Sequence, residues 1–190
     1  SEKGPNGKKM LPQEYLINKP LSAYAESLRS LRSALALSNV DSPPKLLLFT
    51  SALPNEGKTT TSVAFARAAA ESGLRVILVD CDLRHPSVHK ALGGATPKAG
   101  LVELLAGKVG MEDVLITDGM SPLSYIPVAS GSANPPDVLS SMQMRRILDD
   151  LREKYDLVIL DSAPVLPVSD SRVLSKLVDK TVFVVRWAET

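Results

Sequence analysis

Five short apolar runs, at 46–50, 75–80, 124–128, 157–161 and 181–185, set the plan of this 190-residue chain. Most carry apolar residues without alternation, as strands covered on both faces do. Between them lie stretches that read as helices, at 59–72, 100–106, 111–115, 136–139, 142–154 and 170–177. Strand alternating with helix predicts right-handed crossovers and an α/β architecture, a parallel sheet with helices on both faces.

The chain before residue 45 reads differently. Ser22 is placed to cap a helix running to about residue 38, with Leu28, Leu31, Ala34 and Leu35 at helical spacing on one face. Asp41, Ser42, Pro43 and Pro44 stop it. Residues 1–20, with Gly4, Gly7 and several prolines, read as a flexible arm or linker, and 21–190 as a single domain. The polar start lacks the apolar segment of a signal peptide, and no apolar run approaches the ~18 residues of a membrane span. Lys plus Arg total 22 and Asp plus Glu 21, a net charge of 22 − 21 = +1. That supplies no general electrostatic case for nucleic acid or an anionic membrane, while leaving room for a local basic patch. With Cys81 the one cysteine, no intrachain disulfide can form, which fits a reducing compartment.

Ligands of such sheets bind where strands end, and three of the predicted strands end in polar sequence. After the first comes Ala52-Leu53-Pro54-Asn55-Glu56-Gly57-Lys58-Thr59-Thr60. It matches the phosphate loop G-x-x-x-x-G-K-[ST], with Ala52 at the first glycine, in the strand-to-helix context the motif needs. The loop from Pro54 to Thr60, through the backbone N–H groups of Asn55 to Thr60, and the helix N-terminus can wrap a polyphosphate. Lys58 would bridge β- and γ-phosphates, and the Thr59 hydroxyl would ligate Mg²⁺. The plainer reading is a strand–loop–helix turn with a surface lysine.

The second predicted strand ends in Asp80-Cys81-Asp82-Leu83-Arg84. Two carboxylates two residues apart can face one cation or hold a hydroxyl near a phosphate; they can also simply cap the following turn. Arg84 can clamp a phosphate or pair with Asp82. Cys81, of opposite parity, is expected to face the core. The fourth run ends in Asp161, a Walker B pattern in which the carboxylate holds Mg²⁺ directly or through water. Farther upstream, Glu26, Arg29 and Arg32 share one helical face, either a solvated charged surface or a subunit contact. His85 and His89 are read as belonging to a solvated turn, His85 near phosphate; with these two histidines and one cysteine no zinc set can be assembled.

Together these residues resemble the cytoplasmic domain of the bacterial tyrosine kinases (BY-kinases) of capsule and exopolysaccharide export. The resemblance runs from about Ala23 to the end. It takes in the Glu26, Arg29 and Arg32 helix, the phosphate loop, the Asp80-x-Asp82-x-Arg84 element (similar to that family's Walker A′ motif) and the strand ending in Asp161. It implies the P-loop NTPase fold and an ATP-dependent protein-tyrosine autokinase. Lys58 and Thr59 would hold ATP phosphates and Mg²⁺. Asp80 would act as base or orienter for a tyrosine hydroxyl, while Asp82 and Asp161 would complete the metal shell. The resemblance further implies a ring-like homo-oligomer built through Glu26, Arg29 and Arg32, with each tail offered to its neighbour. A membrane activator segment, fused or separate, would hold the domain at the inner face of the plasma membrane.

Two departures stand out. Asn55 replaces the family's usual glycine, which asks a non-glycine residue to fit a tight loop. The chain stops at Thr190, without the family's tyrosine-rich tail; either it is cut before the tail and the last sheet elements, or those parts are absent. Two other functions compete: a partition-type ATPase, disfavoured by the lack of a lysine near the start of the loop, and a non-catalytic nucleotide-gated assembly module.

Overall fold

The computed structural model describes residues 10–132 and 134–187. Its elements run α1 (Pro12–Asn18), α2 (Ala23–Leu37), β1 (Leu46–Ser51), α3 (Lys58–Glu71), β2 (Val76–Cys81) and α4 (Val88–Ala91). They continue with α5 (Leu101–Leu105), α6 (Met111–Val114), β3 (Ile116–Thr117), β4 (Ser124–Ile126), α7 (Pro135–Leu139) and α8 (Met142–Lys154). The described chain ends with β5 (Leu157–Ser162), α9 (Asp170–Ser175) and β6 (Lys180–Val184). One sheet holds the strands in the order β3-β4-β2-β5-β1-β6. Every pairing is parallel except that of β3 with β4.

The alternation of side chains along each strand sorts the apolar residues into two cores. Leu47 and Phe49 of β1, Leu78 of β2 and Ile159 of β5 pack with α2 and α3 on one face. Leu46 and Leu48, Ile77 and Val79, and Val158 and Leu160 pack on the other, against α5, α7, α8 and α9. All of these are buried, and each contributes about 1.5–3 kcal/mol by leaving water. The α3 helix can lie close on the sheet because the side chains it buries include Ala64, Ala66, Ala69 and Ala70. In α8, Met144, Leu148 and Leu151 form the buried stripe, at i, i+4 and i+7.

Several local features match the sequence reading. Ser22 caps α2 by accepting the Ala25 N–H, and Gly73 ends α3 with φ 94°. Cys81 is buried in the second core. Gly100, at the start of α5, has a backbone reason: an added Cβ would lie 2.2 Å from the Pro127 carbonyl oxygen.

Four features differ. The expected flexible arm contains helix α1, whose Ile17 packs against the α2–α3 core; the arm's residues 1–9 lie outside the described residues. Pro12 reads as a breaker in sequence, yet it opens this helix, where a missing N–H costs nothing. The sheet carries an antiparallel edge strand, β3, whose two residues are too few to show periodicity. A short helix, α4, follows β2 and buries His89, so that histidine does not sit in a solvated turn. Ala34 is exposed, while Leu31 and Leu35 are partly buried against the core.

Candidate active site

The loop from β1 to α3 curls through two left-handed residues, Asn55 at φ 66° and Gly57 at φ 87°. Asparagine is among the non-glycine residues that tolerate this region best, which is how Asn55 serves where a glycine would be ordinary. The Glu56 carboxylate accepts the Leu53 N–H at 2.7 Å, and the Ser51 hydroxyl donates to the Leu53 carbonyl at 2.8 Å. Glu56 therefore braces the loop from within.

Strand register brings the acidic residues together. Asp80 and Asp161 are direct partners across β2 and β5. They have the parity of Leu78 and Ile159, so both face the start of α3. The Asp161 carboxylate accepts from the Thr59 hydroxyl at 2.7 Å and from the Ser62 hydroxyl at 3.0 Å. Lys58 Nζ donates to Asp82 at 3.1 Å and lies 3.8 Å from Asp161. The Thr59 hydroxyl also lies 3.0 Å from the Ser87 hydroxyl.

Asp80 stands apart from this arrangement. It is fully buried, and its two oxygens accept backbone N–H groups of Asp82, Ser87 and Val88, each at 3.1 Å. It thereby fastens the chain after β2. Of the two carboxylates, Asp82 is the one that lines the cleft.

Burial governs the charges. It pushes the Asp80 carboxyl up to about 8, helped by the charge of Asp161 and opposed by the N–H donors. Burial also raises Asp161, against Lys58 and the two hydroxyls. Burial alone would lower Lys58, but the carboxylates of Asp161, Asp82 and Asp80 outweigh it and hold the ammonium above its ordinary value. The site is a buried cation among carboxylates at the start of a helix.

Above it opens a cleft of about 630 Å³ lined by Pro54, Asn55, Gly57, Lys58, Thr59, Thr60, Asp82, His85, Ser87 and Pro164. His85 is exposed in the turn after β2, as the sequence reading has it, and lies on the cleft beside the phosphate loop. Arg84 pairs with Asp170 and not with Asp82. Its guanidinium is bidentate on Asp170, at 2.9 and 3.1 Å. Sequence reasoning missed the roles of Ser62, Ser87 and Asp170, because these come from residues distant in the chain; in the sequence Asp170 marks only the start of a predicted helix.

The donors at the cleft suit Mg²⁺. Thr59 and Asp82 on the cleft lining, with Asp161 behind Thr59, offer oxygen, the ligand type this hard cation takes. Among the described residues no group of three or more His, Cys, Asp or Glu side chains could hold a metal ion. Mg²⁺ is commonly held through one or two carboxylates, with substrate phosphate and water completing its shell.

Glu26, Arg29 and Arg32 do not line the cleft. They lie on α2, where Arg29 pairs with Glu26 at 2.7 Å and donates to the Pro20 carbonyl at 2.9 Å. Among the described residues no helix is long and apolar enough to cross a membrane.

Comparison with known proteins adds an independent line. The AAA domain family matches residues 55–185. The chain is 32% identical over 184 residues to tyrosine-protein kinase YwqD of Bacillus subtilis, covering 97% of this chain and 77% of that protein. It is 35% identical over 176 residues to the putative tyrosine-protein kinase EpsB of Ralstonia nicotianae, covering 92% of this chain but 23% of that much longer protein. Among solved structures, the kinase domain of Escherichia coli tyrosine kinase ETK superposes with a TM-score of 0.88 at 29% identity, covering 100% of this chain and 74% of that one.

Proposed function

This chain belongs to the bacterial tyrosine kinases, and we propose that its cleft binds ATP with Mg²⁺ and passes the γ-phosphoryl group to a tyrosine hydroxyl of a protein. The observation that carries this reading is the meeting of Lys58, Thr59, Asp82 and Asp161 at the ends of β1, β2 and β5. Residues from three separate segments converge at the mouth of a left-handed loop, in a chain that is similar to tyrosine kinases along almost its whole length.

On this reading the residues divide the work. The loop amides and the α3 N-terminus grip the β- and γ-phosphates. Lys58 offers its ammonium to the transferring oxygens. The Thr59 hydroxyl, with Asp161 behind it, would hold Mg²⁺, which would supply charge neutralisation to the transfer. Asp82, on the cleft wall, orients the incoming hydroxyl and accepts its proton. Asp80, beneath it, fixes the backbone that carries Asp82. A bond forms from the tyrosine oxygen to the γ-phosphorus, and the bond to the bridging oxygen breaks. ADP leaves with that electron pair. Such transfers need positioning and charge stabilisation more than a strong base.

The wider setting is part of the same proposal: a role in exopolysaccharide export, assembly into a ring through Glu26, Arg29 and Arg32, and a tyrosine-bearing tail presented by a neighbouring copy. A membrane protein's activating segment, fused or separate, would keep the domain at the inner face of the plasma membrane. The names of relatives such as the succinoglycan biosynthesis transport protein ExoP of Rhizobium meliloti support this setting.

The deciding experiment incubates the protein with Mg²⁺, labelled ATP and a tyrosine-rich acceptor peptide. Phosphotyrosine on the acceptor is the expected product. ATP hydrolysis stimulated by DNA or lipid without any phosphotyrosine would replace this reading with a partition-type ATPase. ATP-driven oligomers with neither hydrolysis nor transfer would leave an assembly module.

A further inference from the structure

Arg84 and Asp170 join the two walls of the cleft. Arg84 follows β2 in the loop that also supplies Asp82, His85 and Ser87 to one wall. This loop is fixed from behind: Asp82 accepts the His85 N–H at 2.9 Å, and Asp80 accepts the Ser87 N–H at 3.1 Å. Asp170 opens α9, which is tied to the other wall. Its neighbour Ser171 meets the Ser162 hydroxyl at 2.8 Å, accepts from the Thr50 hydroxyl at 3.2 Å and donates to the Ala163 carbonyl. The segment leading into α9 is stitched to the end of β1 and the loop after it, Val165 N–H to Ser51 at 2.9 Å and Leu166 N–H to Ala52 at 3.2 Å. Within that segment Pro164 lines the cleft.

The ion pair is therefore a crossbar. Since β5 lies between β2 and β1, the guanidinium spans the end of β5 to reach α9. The Asp170 side chain is fully buried, while that of Arg84 is 37% exposed. A buried carboxylate holds its partner firmly, because releasing it would leave an uncompensated charge. Two parallel N–H···O bonds also fix the angle between the groups. A phosphate-binding arginine would instead aim its fork into the cleft.

We infer that Arg84 is a positioning residue: with Asp170 it sets the separation and angle of the two cleft walls, holding Asp82 and the phosphate loop in register, and it does not bind nucleotide. The inference rests on the kinase reading for its activity readout, but not for its structural one. An arginine that contacts phosphate matters independently of Asp170, whereas a crossbar fails equally from either end.

The test uses Arg84→Ala, Asp170→Asn and the pair combined, which leaves no buried charge uncompensated and so secures a folded variant if a single change does not fold. Turnover is measured as phosphotyrosine formed on the acceptor peptide, ATP affinity by equilibrium binding, and backbone mobility by hydrogen exchange. Each single variant is expected to lower kcat roughly tenfold with KM for ATP within about twofold. The double variant should be no worse than either single one. Exchange should quicken in both 82–88 and 163–169 whichever partner is changed. A tenfold loss of ATP affinity in Arg84→Ala alone would make Arg84 a phosphate ligand and overturn the inference. Unchanged kcat per folded molecule would reduce the pair to a stability element and overturn it too. If the unaltered protein forms no phosphotyrosine, the kinase reading fails, and coupled exchange in both segments would still support the crossbar.

Discussion

Lys58 Nζ sits 3.1 Å from the Asp82 carboxylate, joining the first turn of α3 to the chain just past β2. The pair is 24 residues apart in sequence and almost wholly shielded from water, with side-chain exposures of 11% and 3%. A charge pair in that setting aims both groups at one place above the strand ends.

Replacing either member should slow transfer. For Lys58→Met we expect phosphotyrosine formation to fall by ~100-fold or more, the usual effect of deleting a preorganised charge-stabilising donor. Asp82→Asn should lower kcat with a smaller effect on KM for ATP, because its work is done on the incoming hydroxyl. Undiminished phosphotyrosine in Lys58→Met would remove the lysine from the mechanism.

Asn55 holds φ 66° at the bend of the loop. Asn55→Gly should therefore keep ATP binding and stability close to those of the parent. Asn55→Val should lose about 1–2 kcal/mol, the cost of forcing a branched side chain into the left-handed region, and weaken ATP binding with it. Urea unfolding and nucleotide titration measure both; equal behaviour of the two variants would contradict the loop geometry.

Away from the cleft, Arg67 of α3 is clamped by both oxygens of Asp118, each at 2.9 Å, with side-chain exposures of 1% and 0%. Asp118→Ala leaves the buried guanidinium without this carboxylate and should cost about 3–5 kcal/mol. Arg67→Met combined with Asp118→Leu should recover much of that loss, since apolar replacements avoid desolvating charge. Chemical denaturation of the three variants gives the comparison.

Acid should loosen the start of the sheet. Hydrogen bonds from the Arg75 side chain and backbone hold the Asp156 carboxyl down to about 2. A carboxyl depressed on folding contributes stability above its unfolded value near 3.8, and that contribution disappears as pH falls through the folded value near 2. The difference in Tm between the parent and Asp156→Asn should be full at pH 5 and close to zero near pH 2. A difference that persists unchanged at pH 2 would show that the pair does not titrate in this way.

Much of the site was visible in the residues because its parts are local in sequence. A phosphate loop occupies consecutive positions, and an Asp at the end of an apolar run announces a strand terminus. Strand parity even placed Cys81 in the core. What stayed hidden depended on partners far along the chain. Arg84 meets Asp170 86 residues later, and Ser62 meets Asp161 99 residues later. Neither spacing leaves a periodic trace. The elements α1, α4 and β3 also escaped: two strand residues give no repeat to detect, and α1 and α4 are short helices within stretches that read as an arm and a turn.

The sequence by itself determined the alternation of strand and helix, the phosphate loop and the carboxylates at the strand ends, since each depends on neighbours along the backbone. The tertiary structure alone decided which carboxylate faces the cleft. Asp80 and Asp82 share a parity and a chemistry, and only the backbone donors of Ser87 and Val88, folded back over β2, consume the first and leave the second to Lys58.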